Sequence, residues 1–151
     1  TTEIYTLSLH DALPILLWLV SGGAGIAGIF TGALATRTGW NPVYWLSLLF
    51  MAAPLVLLAV SHGYSGWLIP AAALCGVGYI TLSGVLLVCG ASATANAPAA
   101  GVGIVFFMLA VGQVAGAIVF GQLYALLGAT WSLLMFAGLA LLIMFLTPTR
   151  L

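Results

Sequence analysis

Long apolar runs, separated by short polar or Gly/Pro-rich breaks, set the pattern of this chain. Leu16 to Ala35 is apolar apart from Ser21 and Thr31, and a helix of about 20 such residues crosses the roughly 30 Å hydrocarbon layer of a bilayer. The segment Thr36-Arg37-Thr38-Gly39-Trp40-Asn41 interrupts it. Pro42 then suits the first turn of a second helix, with Asn41 as its cap. The second run, Val43 to Val60, contains Pro54, which is expected to kink the helix without ending it. Ser61 to Gly66 forms the next turn. A third run covers Trp67 to Cys89, with Pro70 in its first turn, and the small, polar stretch Gly90 to Ala97 follows. Pro98 opens a fourth helix that reaches about Tyr124, Leu127 to Thr130 turns the chain, and Trp131 to Leu146 makes the fifth run. None of these runs shows the alternation a membrane barrel requires. The pattern predicts an all-α membrane protein of about five transmembrane helices, at about 16–35, 43–60, 67–89, 98–124 and 131–146, with the lipid bilayer as its partner and solvent.

Composition sharpens this. Of 151 residues, 64% are hydrophobic and 3% are charged, and the mean hydropathy is +1.31. A soluble domain carries about 25% charged residues to solvate its surface, which two basic and two acidic residues cannot do here. The same scarcity excludes nucleic acid as a partner, because that binding depends on clustered Lys and Arg. Cys75 and Cys89 lie in apolar runs and make no disulfide framework. Arg37 and Arg150 are separated by four predicted spans, so both fall on one side, and the positive-inside rule assigns that side to the cytoplasm. His62 and Gly128 then belong to external turns. Trp40, Tyr44, Trp45, Tyr64, Trp67 and Trp131 cluster at the breaks, where aromatic rings settle at headgroup level.

The first fifteen residues differ from the rest. Glu3 to Ile15 reads EIYTLSLHDALPI and resembles, residue for residue, the translation of a common sequencing-adapter oligonucleotide. That resemblance implies a non-native segment at 1–15, set aside from fold reasoning, with the native start missing. Glu3, His10 and Asp11 are accordingly given no role.

Small residues recur within the runs. Gly28 and Gly32 stand four apart, as do Gly112 and Gly116, followed by Gly121. Such faces let helices approach closely where lipid supplies no hydrophobic drive, and they can also act as sliding contacts between rocking bundles.

The stretch Gly32-Ala33-Leu34-Ala35-Thr36-Arg37-Thr38-Gly39-Trp40 resembles the cytoplasmic loop signature of the major facilitator superfamily of transporters. Gly32, Leu34, Ala35, Arg37 and Gly39 fit that signature, while Thr36 replaces its acidic residue and Trp40 its last basic one. Gly112-Gln113, Gly116, Gly121, Leu123 and Gly128 are similar to the family's eleventh helix and the turn after it. The resemblance implies that residues 16–151 correspond to helices eight to twelve, part of the C-terminal six-helix bundle. It also implies a missing N-terminal half as partner.

No Asp, Glu, Lys or His lies within a span, so a titrating relay of the kind proton-coupled transporters use would have to sit in that other half. The polar candidates for a substrate cavity are Gln113, near the middle of the fourth span, and Tyr79 with Ser83, which share a face of the third. Thr81, two residues from each, does not share it. No metal site, nucleophile–base pair or phosphate-cradling loop is visible, so neither enzymatic activity nor a cofactor is expected. The functional expectation is a fragment of a secondary active transporter moving a small solute by alternating access, inactive alone, in a bacterial cytoplasmic membrane. The alternative is a non-transporting polytopic anchor or assembly subunit.

Overall fold

The computed structural model describes the backbone of residues 2–61 and 65–146 and the side chains of 13–61 and 66–145. His62, Arg150 and the side chains of Glu3, His10 and Asp11 lie outside the described residues. Among those described, every element is helical. The first is α1 (Thr2–Gly25), which runs through a 3₁₀ segment (Ile26–Phe30) into α2 (Thr31–Thr38). Next come α3 (Trp40–Val60), a short 3₁₀ turn (Ser65–Trp67), α4 (Leu68–Ala93) and α5 (Pro98–Leu146).

Four stretches are long and apolar enough to cross a membrane: Leu13–Thr38, Trp40–Val60, Leu68–Ala93 and Pro98–Phe145. The last covers both the fourth and fifth predicted runs. Straight, the 49 residues of α5 would extend about 73 Å, more than twice the hydrocarbon thickness. They are not straight. Gly128 is non-helical (φ 79°, ψ 175°), and the Phe120 and Phe136 rings meet edge to face with centroids 5.3 Å apart. In a straight helix those residues would stand about 24 Å apart, so α5 folds back on itself at Gly128. The two arms, 98–127 and 129–146, run in opposite directions.

Several boundaries differ from the sequence expectation, each for a local reason. Asn41 is not the cap of α3. Gly39 holds that position (φ 89°, ψ 165°), and Asn41 lies inside the first turn. The third span continues four residues past Cys89 to Ala93, because its hydroxyls turn back onto their own helix: Ser92 Oγ donates to the Val88 carbonyl (2.9 Å) and Thr94 Oγ1 to that of Gly90 (3.0 Å). A Ser or Thr bonded in this way has its hydroxyl satisfied inside the helix, so its polarity does not mark a helix end. The first span likewise reaches Thr38, whose hydroxyl donates to the Leu34 carbonyl (2.9 Å). Pro54 is buried within an unbroken α3.

α4 occupies the middle, packed on α1, α3 and α5. The core joins Ala35, Val43, Tyr44, Leu48 and Val85, with Leu82, Leu86 and Met144 against them. These residues come from the end of α2, the start of α3, the later half of α4 and the end of α5. The Gly39 reversal, the 94–97 link and the end of α5 therefore share one end of the bundle. The link after Val60 and the Gly128 reversal share the other. Outside that core the surface is apolar: Trp18, Ile29, Leu126 and Phe145 are each more than 75% exposed, and Arg37 is the single charged residue among the described side chains.

Candidate functional site

Two polar side-chain contacts join α4 to its neighbours, one on each of two opposite faces. On one face the Gln113 amide, midway along the first arm of α5, donates to the hydroxyl of Tyr79. Both residues are exposed, so this polar contact opens outward from the bundle. Ser83, one turn beyond Tyr79, donates its hydroxyl to the Tyr79 carbonyl (2.8 Å). The three residues named from sequence as cavity candidates thus stand together, two of them in direct contact and the third bonded to the backbone. What the pair still offers is the Gln113 carbonyl, an acceptor, and two donors, the second amide hydrogen and the phenolic hydrogen. None carries charge. The pair can address a neutral polar group.

On the opposite face of α4, Thr31 Oγ1 donates to Thr81 Oγ1 across 3.4 Å. Tyr79 and Thr81, two residues apart, point about 200° apart on a helix, which is why they serve different neighbours. A cavity of about 100 Å³ lies beside the threonine pair, lined by Phe30, Ser47, Phe50 and Val77 among others. Ser47 is fully buried and donates to the Val43 carbonyl (2.7 Å). A larger open groove of about 440 Å³, bordered by Ala52, Ala53, Val56 and Leu141, is apolar throughout and offers no directional chemistry.

The loop residues form a compact unit at one end of the bundle. Arg37 is exposed on the last turn of α2, and the Gly39 amide closes that helix by donating to the Ala35 carbonyl (2.8 Å). Thr36, where the signature has an acidic residue, donates to the Ala33 carbonyl (2.9 Å). Gly32 faces open space.

Close helix approaches occur mostly at glycines that spacing did not pick out. Of those named from sequence, Gly28 makes one: a Cβ there would stand 2.5 Å from Ile80 Cγ2. Gly112, Gly116 and Gly121 meet nothing within 4 Å, because no described helix lies over that face of α5. The other approaches are Gly25 on Ile80, Gly76 on the Ser21 backbone, Gly78 on Ser47 O (3.0 Å from an added Cβ), and Gly90 with Gly101 backbone to backbone. Gly76, Gly78 and Gly90 all lie on α4, each facing a different neighbour. Four-residue spacing misses such a helix, since a central element needs single small residues on several sides instead of one stripe.

Cys75 and Cys89 are free thiols. Among the described residues no group of three or more His, Cys, Asp or Glu comes together. Comparison with family models, curated proteins and solved structures finds no match to this chain.

Proposed function

We propose that the chain is part of a secondary transporter of the major facilitator type, a multi-pass protein of the cell membrane that moves a small, neutral solute by alternating access. The observation that carries this reading is the Gly32–Trp40 link, which resembles that family's cytoplasmic signature and joins two membrane-length helices through a single glycine, with Arg37 beside the turn. Arg37 then marks the cytoplasmic end. The uncharged Gln113–Tyr79 pair, midway along its helices and open to the outside of this bundle, suits a solute path shared with a second bundle, which is where transporters of this architecture bind their cargo. The Ala-, Gly- and Leu-rich composition fits a bacterial cytoplasmic membrane.

Two measurements test the reading. Recovering the gene upstream of residue 16 should reveal further spans and a second, sharper copy of the loop signature. A soluble domain there would favour the membrane-anchor reading instead. In the recovered full-length protein, with Cys75 and Cys89 replaced by Ala, a cysteine at position 113 should react with a membrane-impermeant thiol reagent and be protected by the solute. Failure of position 113 to react, with a cysteine at the exposed position 129 beside the external Gly128 reversal reactive, would remove the proposed path. The present chain alone, reconstituted in liposomes, is expected to take up nothing.

A further inference from the structure

The first span changes helical type halfway along. Ile26–Phe30 is 3₁₀, and the Thr31 amide bonds to the Gly28 carbonyl instead of reaching one residue further back. A 3₁₀ helix turns about 120° and rises about 2.0 Å per residue, against about 100° and 1.5 Å in an α-helix. Over these five residues the difference amounts to about 100° of rotation and about 2.5 Å of length. Everything after Thr31, including the Gly39 reversal, is set by that offset.

α4 grips this stretch at two points. Ile80 occupies the space that side chains at Gly25 and Gly28 would fill, with Cγ1 at 2.8 Å from the one Cβ position and Cγ2 at 2.5 Å from the other. Thr81, the next residue, accepts the Thr31 hydroxyl. The cavity of about 100 Å³ lies against Ala27, Phe30, Thr31 and Leu34, so the side chains that would swing have somewhere to go. We propose that Ile26–Phe30 is a screw joint: α4 holds it in the 3₁₀ form through Ile80 and Thr81, and releasing that hold lets it relax to α-helix, turning α2 against α1. The inference concerns the motion of this chain and is independent of the transport reading.

The test is a nitroxide scan of positions 16–24 and 31–38 in lipid bilayers, in a Cys75→Ala, Cys89→Ala background, reading the phase of oxygen accessibility. The unaltered joint should show a phase advance of about 100° across it. Gly28→Ala, which pushes a methyl group into Ile80 and favours α-helix, should remove the advance. So should Ile80→Ala combined with Thr81→Val. Leu74→Ala, at an exposed position on the same helix, should leave it intact. No advance in the unaltered joint, an advance that survives both hold-breaking changes, or its loss in Leu74→Ala would each overturn the proposal.

Discussion

The chain reverses direction on a single glycine twice, at Gly39 (φ 89°, ψ 165°) and at Gly128 (φ 79°, ψ 175°). Both conformations belong to a region that side-chain-bearing residues rarely enter. Their surroundings are opposite. Around Gly39 the flanking helices carry the buried core: Ala35 on one side, Val43 and Tyr44 on the other, locked against Val85. Around Gly128, Leu126, Leu127 and Trp131 are exposed, and an added Cβ would meet nothing. That turn is secured mainly within its own hairpin, by the fully buried Ser132, whose Oγ donates to the Gly128 carbonyl (2.8 Å), and by the Phe120–Phe136 contact. One backbone geometry can thus be held by tertiary packing or by its own neighbourhood, and the two should fail differently.

Gly39→Val should cost the most, roughly 3 kcal/mol, because about 1–3 kcal/mol of backbone strain is transmitted into the core. The readout is the SDS fraction at half-unfolding in mixed micelles. Val85→Ala, which empties part of that core without touching the turn, should cost about 2 kcal/mol in the same titration. Gly128→Val should cost roughly 1–2 kcal/mol and leave the environment of Trp40 unchanged by fluorescence. Equal losses at the two glycines would break the comparison. Phe136→Leu should cost about 1 kcal/mol by removing the edge-to-face contact, and it should add less than fully to Gly128→Val in a double mutant, since both act on one hairpin. Tyr79→Phe, midway between the two reversals, should cost only about 0.6 kcal/mol, the usual size of an interhelical hydrogen bond in a membrane. A larger loss there would mean the pair supports the fold and is poorly suited to serve a solute.

The two reversals also show what the sequence makes legible. Both breaks stand out as interruptions of apolar runs, and Pro98 opens α5 as its fixed φ requires. The extent of each break does not stand out. Thr36 to Asn41 reads as a six-residue loop because its residues are polar, yet the hydroxyls of Thr36 and Thr38 bond to their own helix and leave only Gly39 outside it. The 3₁₀ stretch is invisible for the opposite reason: Ile-Ala-Gly-Ile-Phe is apolar in either helical type. For the candidate site, Tyr79 and Ser83 share a face by spacing alone. That Gln113 lies opposite Tyr79 depends on how α5 crosses α4, and one helix's sequence does not encode that crossing. The glycines of α5 illustrate the same limit, since spacing identifies a smooth face but not whether anything leans on it.

The brevity of the Gly39 turn limits how its two helices can move. A connection one residue long leaves no slack between Leu13–Thr38 and Trp40–Val60. Neither can slide along its axis past the other by a helical turn, about 5.4 Å, unless a helix end unwinds to lengthen the link. Piston motion is therefore closed to this pair, and tilting or rotation about the shared end stays open.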